Sequence, residues 1–414
     1  MNTRVLMVLQ NYPFPQDARV RPEAIALARA GHEVTVISPA RKNQPRRETF
    51  AGVRVYRYPE PTAAEGVLGY LWEYGYSLAA TFWLSLVVWF RHGFDIIHAH
   101  NPPDLFALLA VFYRPFGKRY IFDHHDLAPE MYRAKFPEGN RLMHWALLFF
   151  EKLSYRMAAH VIVTNQSYKQ TAMTRGRVPE ERITVARNGP DFNHVRRVPP
   201  DSELRSRAST ILGYLGLISR QDGLDYLLRA VAHLVHDLER HDVLCMIVGD
   251  GEERGHLEAL VQKLRLDDYV WFAGYHLGDD LCRLLSTADI FVAPEPSNPY
   301  NDKSTMIKMM EYMYLGRPIV AFDLTEHRAS AAGAALYARA NDEADFARLI
   351  ARLMDDSRQR EELGRIGRQR VETSLAWHHQ APKLLAAYRS LASDKAADRA
   401  AAAPTHRKQP SELT

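Results

Sequence analysis

The stretch from Pro294 to Asp323 gathers the residues best suited to hold an anionic substrate. Ser304 and Thr305 are good N-cap residues, so a helix is predicted to start there. Thr305, Lys308 and Tyr312 would share one helical stripe, with Ser304, Lys308 and Glu311 on a neighbouring one. Met306, Met309, Met310 and Met313 take the other side. A helix N-terminus with hydroxyls, free N–H groups and a lysine one turn in suits a phosphate. Glu311, two turns in, can accept hydrogen bonds from sugar hydroxyls. The competing reading is a capped amphipathic core helix with a solvated Lys308.

A second group is His124-His125-Asp126-Leu127-Ala128-Pro129-Glu130, directly after the strand predicted at Tyr120–Asp123. Titratable side chains at a strand end, followed by a turn proline, suit acid–base or substrate-orienting work. A solvated loop with local Asp–His bonds is the alternative. A third is the turn Gly216-Leu217-Ile218-Ser219-Arg220-Gln221-Asp222-Gly223 before the helix predicted at Leu224–Leu238. Such a turn can cradle phosphate, and Arg220 is its only cation. A fourth is His98-Ala99-His100, closing the strand that starts at Phe94. The two imidazoles are expected on opposite faces of that strand. No metal pair, and no metal site elsewhere, is therefore expected. His100, at the carboxyl end, is the cleft candidate.

These groups need elements to position them. Arg4–Leu9 reads as a strand, Gln10–Asp17 as a loop, Arg19–Ala30 as a helix closed by Gly31, and His32–Ser38 as a second strand. That order begins a doubly wound α/β domain. Ligands bind beyond the carboxyl ends of such strands, which puts Asn11, Tyr12 and Asp17 at a cleft on the acceptor side. The loop lacks Gly-x-Gly-x-x-Gly, so no dinucleotide fingerprint is present. Further strands are expected at Val53–Tyr58, His160–Thr164 and Ile183–Ala186. In the second half they fall at Ile211–Leu215, Val243–Val248, Val270–Phe272 and Ile290–Ala293. The domain organisation is 1–193, a linker at 194–210, a second α/β domain at 211–374, a returning helix at 375–391 and a disordered tail at 392–414.

The 414-residue chain is long enough for two cores. Apolar content of 47%, charged content of 25% and a net charge of +4 describe an ordinary globular protein. The mild basicity fits anionic small molecules or an acidic membrane surface, and nucleic acid is not expected as a partner. Cys245 and Cys282 read as reduced core residues. The N-terminus lacks the features of a signal peptide. The longest apolar stretch, Tyr76–Phe90, is shorter than the ~20 residues a spanning helix needs. The expected location is cytoplasmic, peripheral at the inner membrane face if attached. The Leu-, Trp- and Tyr-rich stretch 66–90 reads as packing helix, with membrane contact as the alternative. The same pair of readings applies to 141–159, where Arg and Lys alternate with Leu, Phe and Trp.

Together these motifs resemble the family-four glycosyltransferases, a retaining group with the GT-B fold of two facing Rossmann-like domains. That family carries Glu, seven residues, Glu, then Gly-x-Pro-Ile/Val-Val. Glu311, Gly316, Pro318, Ile319 and Val320 match, while Lys303 stands in place of the first Glu. Arg21, Leu27, Ala28, Gly31, His32, Val34, Thr35 and Val36 fit the family's first helix and strand. The first loop lacks the Gly-Gly pair that many members keep there. Phe122, Asp123, His125 and Asp126 fit its Tyr/Phe-Asp-x-His-Asp/Glu pattern, whose histidine faces the sugar. Asn188-Gly189-Pro190-Asp191 fits its exit turn from the first domain, and Gly249-Asp250-Gly251 the turn near the base and ribose. The family's diphosphate clamp of Arg and Lys falls on Leu217 and Asp222.

The resemblance spans Val5 to about Leu391. It implies transfer of a sugar from a nucleotide diphosphate-sugar to a glycan or lipid-linked acceptor in cell-envelope polysaccharide synthesis, without a bound cofactor. His125 would orient the sugar and Glu311 hold donor hydroxyls. Gly216, Arg220, Gly249, Gly251, Lys303, Ser304, Thr305 and Lys308 would bind the donor. Two other readings are a sugar-nucleotide epimerase or hydrolase of the same fold and a catalytically inactive binding subunit.

Overall fold

The computed structural model describes residues 3–61, 66–190, 192 and 195–401. The expected boundary at 193 and the tail residues 402–414 lie outside these. The first domain runs β1 (Arg4–Val8), α1 (Val20–Arg29), β2 (Glu33–Ala40), β3 (Arg47–Phe50), β4 (Val53–Pro59), α2 (Gly66–Arg91), β5 (Ile96–His100), α3 (Ala107–Tyr113), β6 (Arg119–His124), α4 (Ala128–Lys135), α5 (Arg141–Met157), β7 (His160–Val163), α6 (Gln166–Thr174) and β8 (Ile183–Val185). After a short α7 (Ser202–Arg205), the second domain runs β9 (Thr210–Leu215), α8 (Leu224–Ala232), β10 (Val243–Val248), α9 (Arg254–Lys263), β11 (Val270–Gly274), α10 (Gly278–Thr287), β12 (Ile290–Ala293), α11 (Ile307–Tyr314), β13 (Ile319–Phe322), α12 (Thr325–Ala331), β14 (Ala335–Ala338), α13 (Glu343–Asp355) and α14 (Ser357–Arg370). α15 (Trp377–Ala401) closes the chain.

The first sheet has the order β3-β4-β2-β1-β5-β6-β7-β8, parallel except for the edge strand β3. The second has the order β11-β10-β9-β12-β13-β14, and its paired strands run parallel. Strands such as β10 are buried along their whole length, which is why they read as continuous apolar runs rather than alternating ones. Each sheet reverses direction once, between β1 and β5 and between β9 and β12. Crevices beyond the carboxyl ends at such reversals are where ligands bind in this architecture. Asn11, Tyr12 and Asp17 follow β1, His100 ends β5, Gly216 and Arg220 follow β9, and Lys303, Ser304 and Thr305 follow β12.

Several expectations need correction. α11 starts at Ile307, not at Ser304: Asn301–Lys303 form a 3-10 turn, and Ser304 is extended. The stretch 194–210 is not a bare linker, because Val195, Leu204 and Ala208 are buried in the second core. α15 continues to Ala401, past the expected end at Leu391. Its last residues are rich in alanine, the strongest helix former. α15 lies on the first domain, where Leu384, Tyr388 and Leu391 join the core of β1, β2 and α1. The exit turn packs where the chain comes back: a Cβ on Gly189 would sit 2.7 Å from the Leu375 carbonyl oxygen and the Trp377 nitrogen.

Candidate active site

Buried residues at the ends of β5 and β6 build the first-domain side. His98 and His100 do not point to opposite faces. Side chains two apart in a strand share a face, and these two rings stack with centroids 4.3 Å apart. Asp123 is their hub: its Oδ2 lies 3.0 Å from His98 Nε2 and 3.3 Å from His100 Nδ1, and its Oδ1 lies 3.3 Å from His125 Nε2. His100 Nδ1 and His125 Nε2 are 3.1 Å apart, with the rings nearly parallel. Tyr388, from α15, pairs its hydroxyl with His98 Nδ1 at 2.8 Å. Glu23 of α1 completes the group, 3.9 Å from His98 Nε2.

The electrostatics follow from burial. Burial alone would raise the Asp123 carboxyl, but His125, His100 and His98 together hold it well below the usual carboxylate range. Burial pushes His98 down to about 4, and lowers His100 as well. Burial and the neighbouring Asp123 push the Glu23 carboxyl well up. Glu23, His98, His100 and Asp123 present four ligand atoms within 4.8 Å of one another, a nitrogen–oxygen set of the kind that takes a transition-metal ion. His98 Nε2 and His100 Nδ1 lie 3.0 and 3.3 Å from Asp123 Oδ2, whereas Glu23 Oε2 stands 3.9 and 4.0 Å from the same two nitrogens.

His125 is fixed from both sides. Its backbone N–H donates to Asn101 Oδ1 at 2.6 Å, and its ring Nε2 faces Asp123. Ring Nδ1 is buried with no hydrogen-bond partner among the described residues. Asp17 is buried, and its carboxylate accepts from the Arg19 and Val20 amides at 2.8 and 2.9 Å, which fixes the start of α1. Asn11 and Tyr12 are exposed on the same loop.

The second-domain side is a set of close backbone approaches. A Cβ on Gly249 would stand 1.8 Å from the Gly216 carbonyl oxygen, and one on Gly251 2.3 Å from that of Ile218. Only glycine lets these two turns interlock. Lys308 reaches beneath them, its Nζ 2.9 Å from the Tyr214 hydroxyl. It also lies 2.7 Å from Glu295 and 3.3 Å from Asp222. Burial alone would lower the ammonium pKa; Glu295, Tyr214 and Asp222 hold it well above the usual lysine value. Lys308 is thus already paired with two carboxylates, and it is the second residue of α11 rather than one turn in.

Ser304 and Thr305 also differ from expectation. The Ser304 hydroxyl donates to the Tyr300 carbonyl at 2.8 Å. Thr305 Oγ1 accepts from Asn165 Nδ2 of the first domain at 2.9 Å. Neither caps a helix. Lys303, partly exposed, has its Nζ 4.0 Å from Glu130 of α4. Arg220 is exposed at the mouth of its turn. Burial pushes the Glu311 carboxyl up to about 7 against the pull of Lys308.

The two sides meet. α4, which follows the His125 loop, packs against the turn 220–222. Lys135 at its end pairs with Glu252 at 2.8 Å. The Tyr300 hydroxyl donates to Asp126 Oδ1 at 3.2 Å, and Ser167 donates to Glu326 at 2.7 Å. The fold thus brings His100 to His125 and Lys308 to Gly216, and turns Ser304 and Thr305 toward the first domain. Sequence reading missed Glu23, Glu295, Asn165 and Tyr300. Glu295 carried a readable signal: an acid directly after an apolar strand, between two prolines.

Two Rossmann-like domains with a glycine-lined turn facing a histidine-bearing loop define a GT-B glycosyltransferase, and comparison with known proteins agrees. Residues 209–356 match the model of the glycosyl transferases group 1, and residues 17–189 that of the glycosyl transferase 4-like domain. An uncharacterized glycosyltransferase of Methanocaldococcus jannaschii is 26% identical over 72% of this chain and 73% of its own. Sucrose-phosphate synthase from Thermosynechococcus elongatus superposes with a TM-score of 0.77 at 20% identity, covering 95% of this chain and 100% of that one. The HepE protein of Anabaena, in complex with UDP-glucose, superposes with a TM-score of 0.70 at 17% identity, with the same coverage. The chain belongs to the family-four glycosyltransferases of the GT-B fold. Its activity is glycosyl transfer in polysaccharide or glycoconjugate synthesis.

Proposed function

We propose that the chain moves a sugar, with retention of configuration, from a nucleotide diphosphate-sugar to a glycan or lipid-linked acceptor of the cell envelope. The observation that carries this is the placing of His125, with its unpartnered Nδ1, on a loop whose next helix packs against the Arg220 turn. Charge builds on the diphosphate as the sugar–oxygen bond breaks, and fixed dipoles and cations in a closed cleft stabilise it. Lys308 neutralises Glu295 and Asp222, so that the diphosphate does not meet two bare carboxylates. Arg220, Lys303 and the amides around Gly216 then meet the leaving group. His125 orients the sugar, and Glu311 accepts from donor hydroxyls. The HepE structure with UDP-glucose supports this type of donor by fold alone. No cofactor enters this reading.

A thermal-shift screen of nucleotides tests it first. A nucleoside diphosphate at 100 times its Kd adds about 2.7 kcal/mol of apparent stability. Arg220→Ala should weaken that ligand about tenfold or more, the scale of one lost charge-assisted bond. If no nucleotide shifts the transition, the proposal fails. The anomeric configuration of the product, read by NMR, tests retention. The paired state of Lys308 favours one rival, a nucleotide-binding subunit without turnover. Tight nucleotide binding with no product across donors and acceptors would select it.

A further inference from the structure

Of the 17 large apolar side chains exposed among the described residues, ten lie on three neighbouring helices of the first domain: α2, α3 with the turn after it, and α5. All three exposed tryptophans are among them. Trp83 is 66% exposed, Phe90 82% and Trp145 62%. Trp83 and Phe90 stand seven apart, and Trp145 and Phe149 four apart, so each pair rises from one side of its helix. The helices touch side by side: Phe82 of α2 meets Phe112 of α3 edge to face at 4.9 Å, and α3 packs on α5. These side chains form one face rather than scattered points, and a water-facing surface rarely keeps such a patch.

The charges on this face have one sign. Exposed Arg91, Arg114, Lys152 and Arg156 border the aromatics. The only acids on the three helices, Glu73 and Glu151, are turned to other work. Glu73 accepts from Gln10, and Glu151 is buried against Arg175 at 2.6 Å. Two copies of such a face would set like charges against each other. Aromatic and aliphatic side chains ringed by Lys and Arg fit a layer of anionic headgroups over acyl chains. No helix among the described residues is long and apolar enough to cross a membrane, so contact would be lateral.

We propose that this face of α2, α3 and α5 docks the protein flat on an anionic lipid surface. The Glu73–Gln10 bond sets the start of α2 beside the carboxyl end of β1, so the docked face reaches the acceptor side of the cleft. This deepens the functional reading above, and rests on it for the claim that the acceptor is presented from the bilayer.

Sedimentation with vesicles tests it. The full chain should pellet with vesicles of phosphatidylglycerol and phosphatidylcholine in equal parts, stay in solution with phosphatidylcholine alone, and come off in high salt. Its tryptophan emission should shift to the blue on binding. Lys152→Gln with Arg156→Gln should weaken binding about thirtyfold, two interfacial charges being removed. Trp83→Ser, Trp145→Ser and Phe149→Ser together should abolish the blue shift while the far-UV spectrum stays unchanged. Absence of pelleting, or pelleting indifferent to both sets of substitutions, overturns the proposal. So does a dimer by light scattering that the aromatic substitutions dissolve. A nucleotide thermal shift on the same samples separates the two claims. Vesicle binding without any nucleotide response keeps the docking face and removes the functional reading; the reverse removes only the face.

Discussion

At the scale of single residues, Glu311 is the group most open to a pH test. Its carboxyl titrates near 4.5 in the unfolded chain and about 7 in the folded one. A raised carboxyl favours the folded state while protonated. The contribution is complete below about pH 4.5 and is lost as pH climbs through 7. Glu311→Gln, a neutral isostere, has no such loss. Urea unfolding should find the two proteins nearly equal at pH 5 and the variant more stable at pH 8, by at most about 3 kcal/mol. Equal stabilities at pH 8 would show a solvated carboxylate. Asp123→Asn tests the histidine cluster. It removes the negative hub for three imidazoles, so turnover should fall about 10- to 100-fold and stability by about 3–5 kcal/mol. Nucleotide binding, a second-domain property, should be unchanged by thermal shift. A matching loss of nucleotide affinity would mean that Asp123 acts on the whole cleft and not through His125.

At the scale of elements, α11 and its neighbours show how a lysine in a phosphate-like setting can be structural. Lys308 joins α11 to the ends of β9 and β12 through Tyr214, Asp222 and Glu295. Lys308→Met leaves two acids without a counter-charge and should cost about 3–5 kcal/mol. Adding Glu295→Gln should restore part of that, and a double-mutant cycle would measure the coupling. A clamp lysine serving only the ligand would give weak nucleotide binding at unchanged stability. The strands were legible in the sequence because buried parallel strands are unbroken apolar runs, as Val243–Val248 shows. The start of α11 was not. Ser304 and Thr305 have cap chemistry, but Tyr300 and Asn165 take their hydroxyls, and those partners come from a turn and from another domain. His125 could be read from its strand-end position. Glu23 could not, because nothing along a helix says that one acid will face a histidine cluster across the sheet.

At the scale of the whole molecule, the two domains are joined by bonds that sit close to the site. Asn165 donates to the Lys303 carbonyl at 2.7 Å and to Thr305 Oγ1 at 2.9 Å. Its own Oδ1 accepts from the Tyr168 amide, capping α6. Asn165→Asp keeps that cap and removes the donor. Small-angle scattering should then record a larger radius of gyration and a wider spread of domain separations, and turnover should drop while nucleotide affinity holds. An unchanged scattering profile would mean that these bonds do not hold the domains together.

The hydroxyl of Tyr388 on His98 has a consequence for how the protein comes into being. The first half emerges from the ribosome with an open groove where α15 belongs and with His98, paired to Asp123 through Nε2, lacking the partner of its Nδ1. Only when the segment carrying Leu384, Tyr388 and Leu391 has been released can that half be finished, so the surroundings of the histidine cluster wait on residues that follow the whole second domain. A message truncated before Trp377 would yield a nascent product that holds every residue of the histidine cluster and still lacks its completed environment.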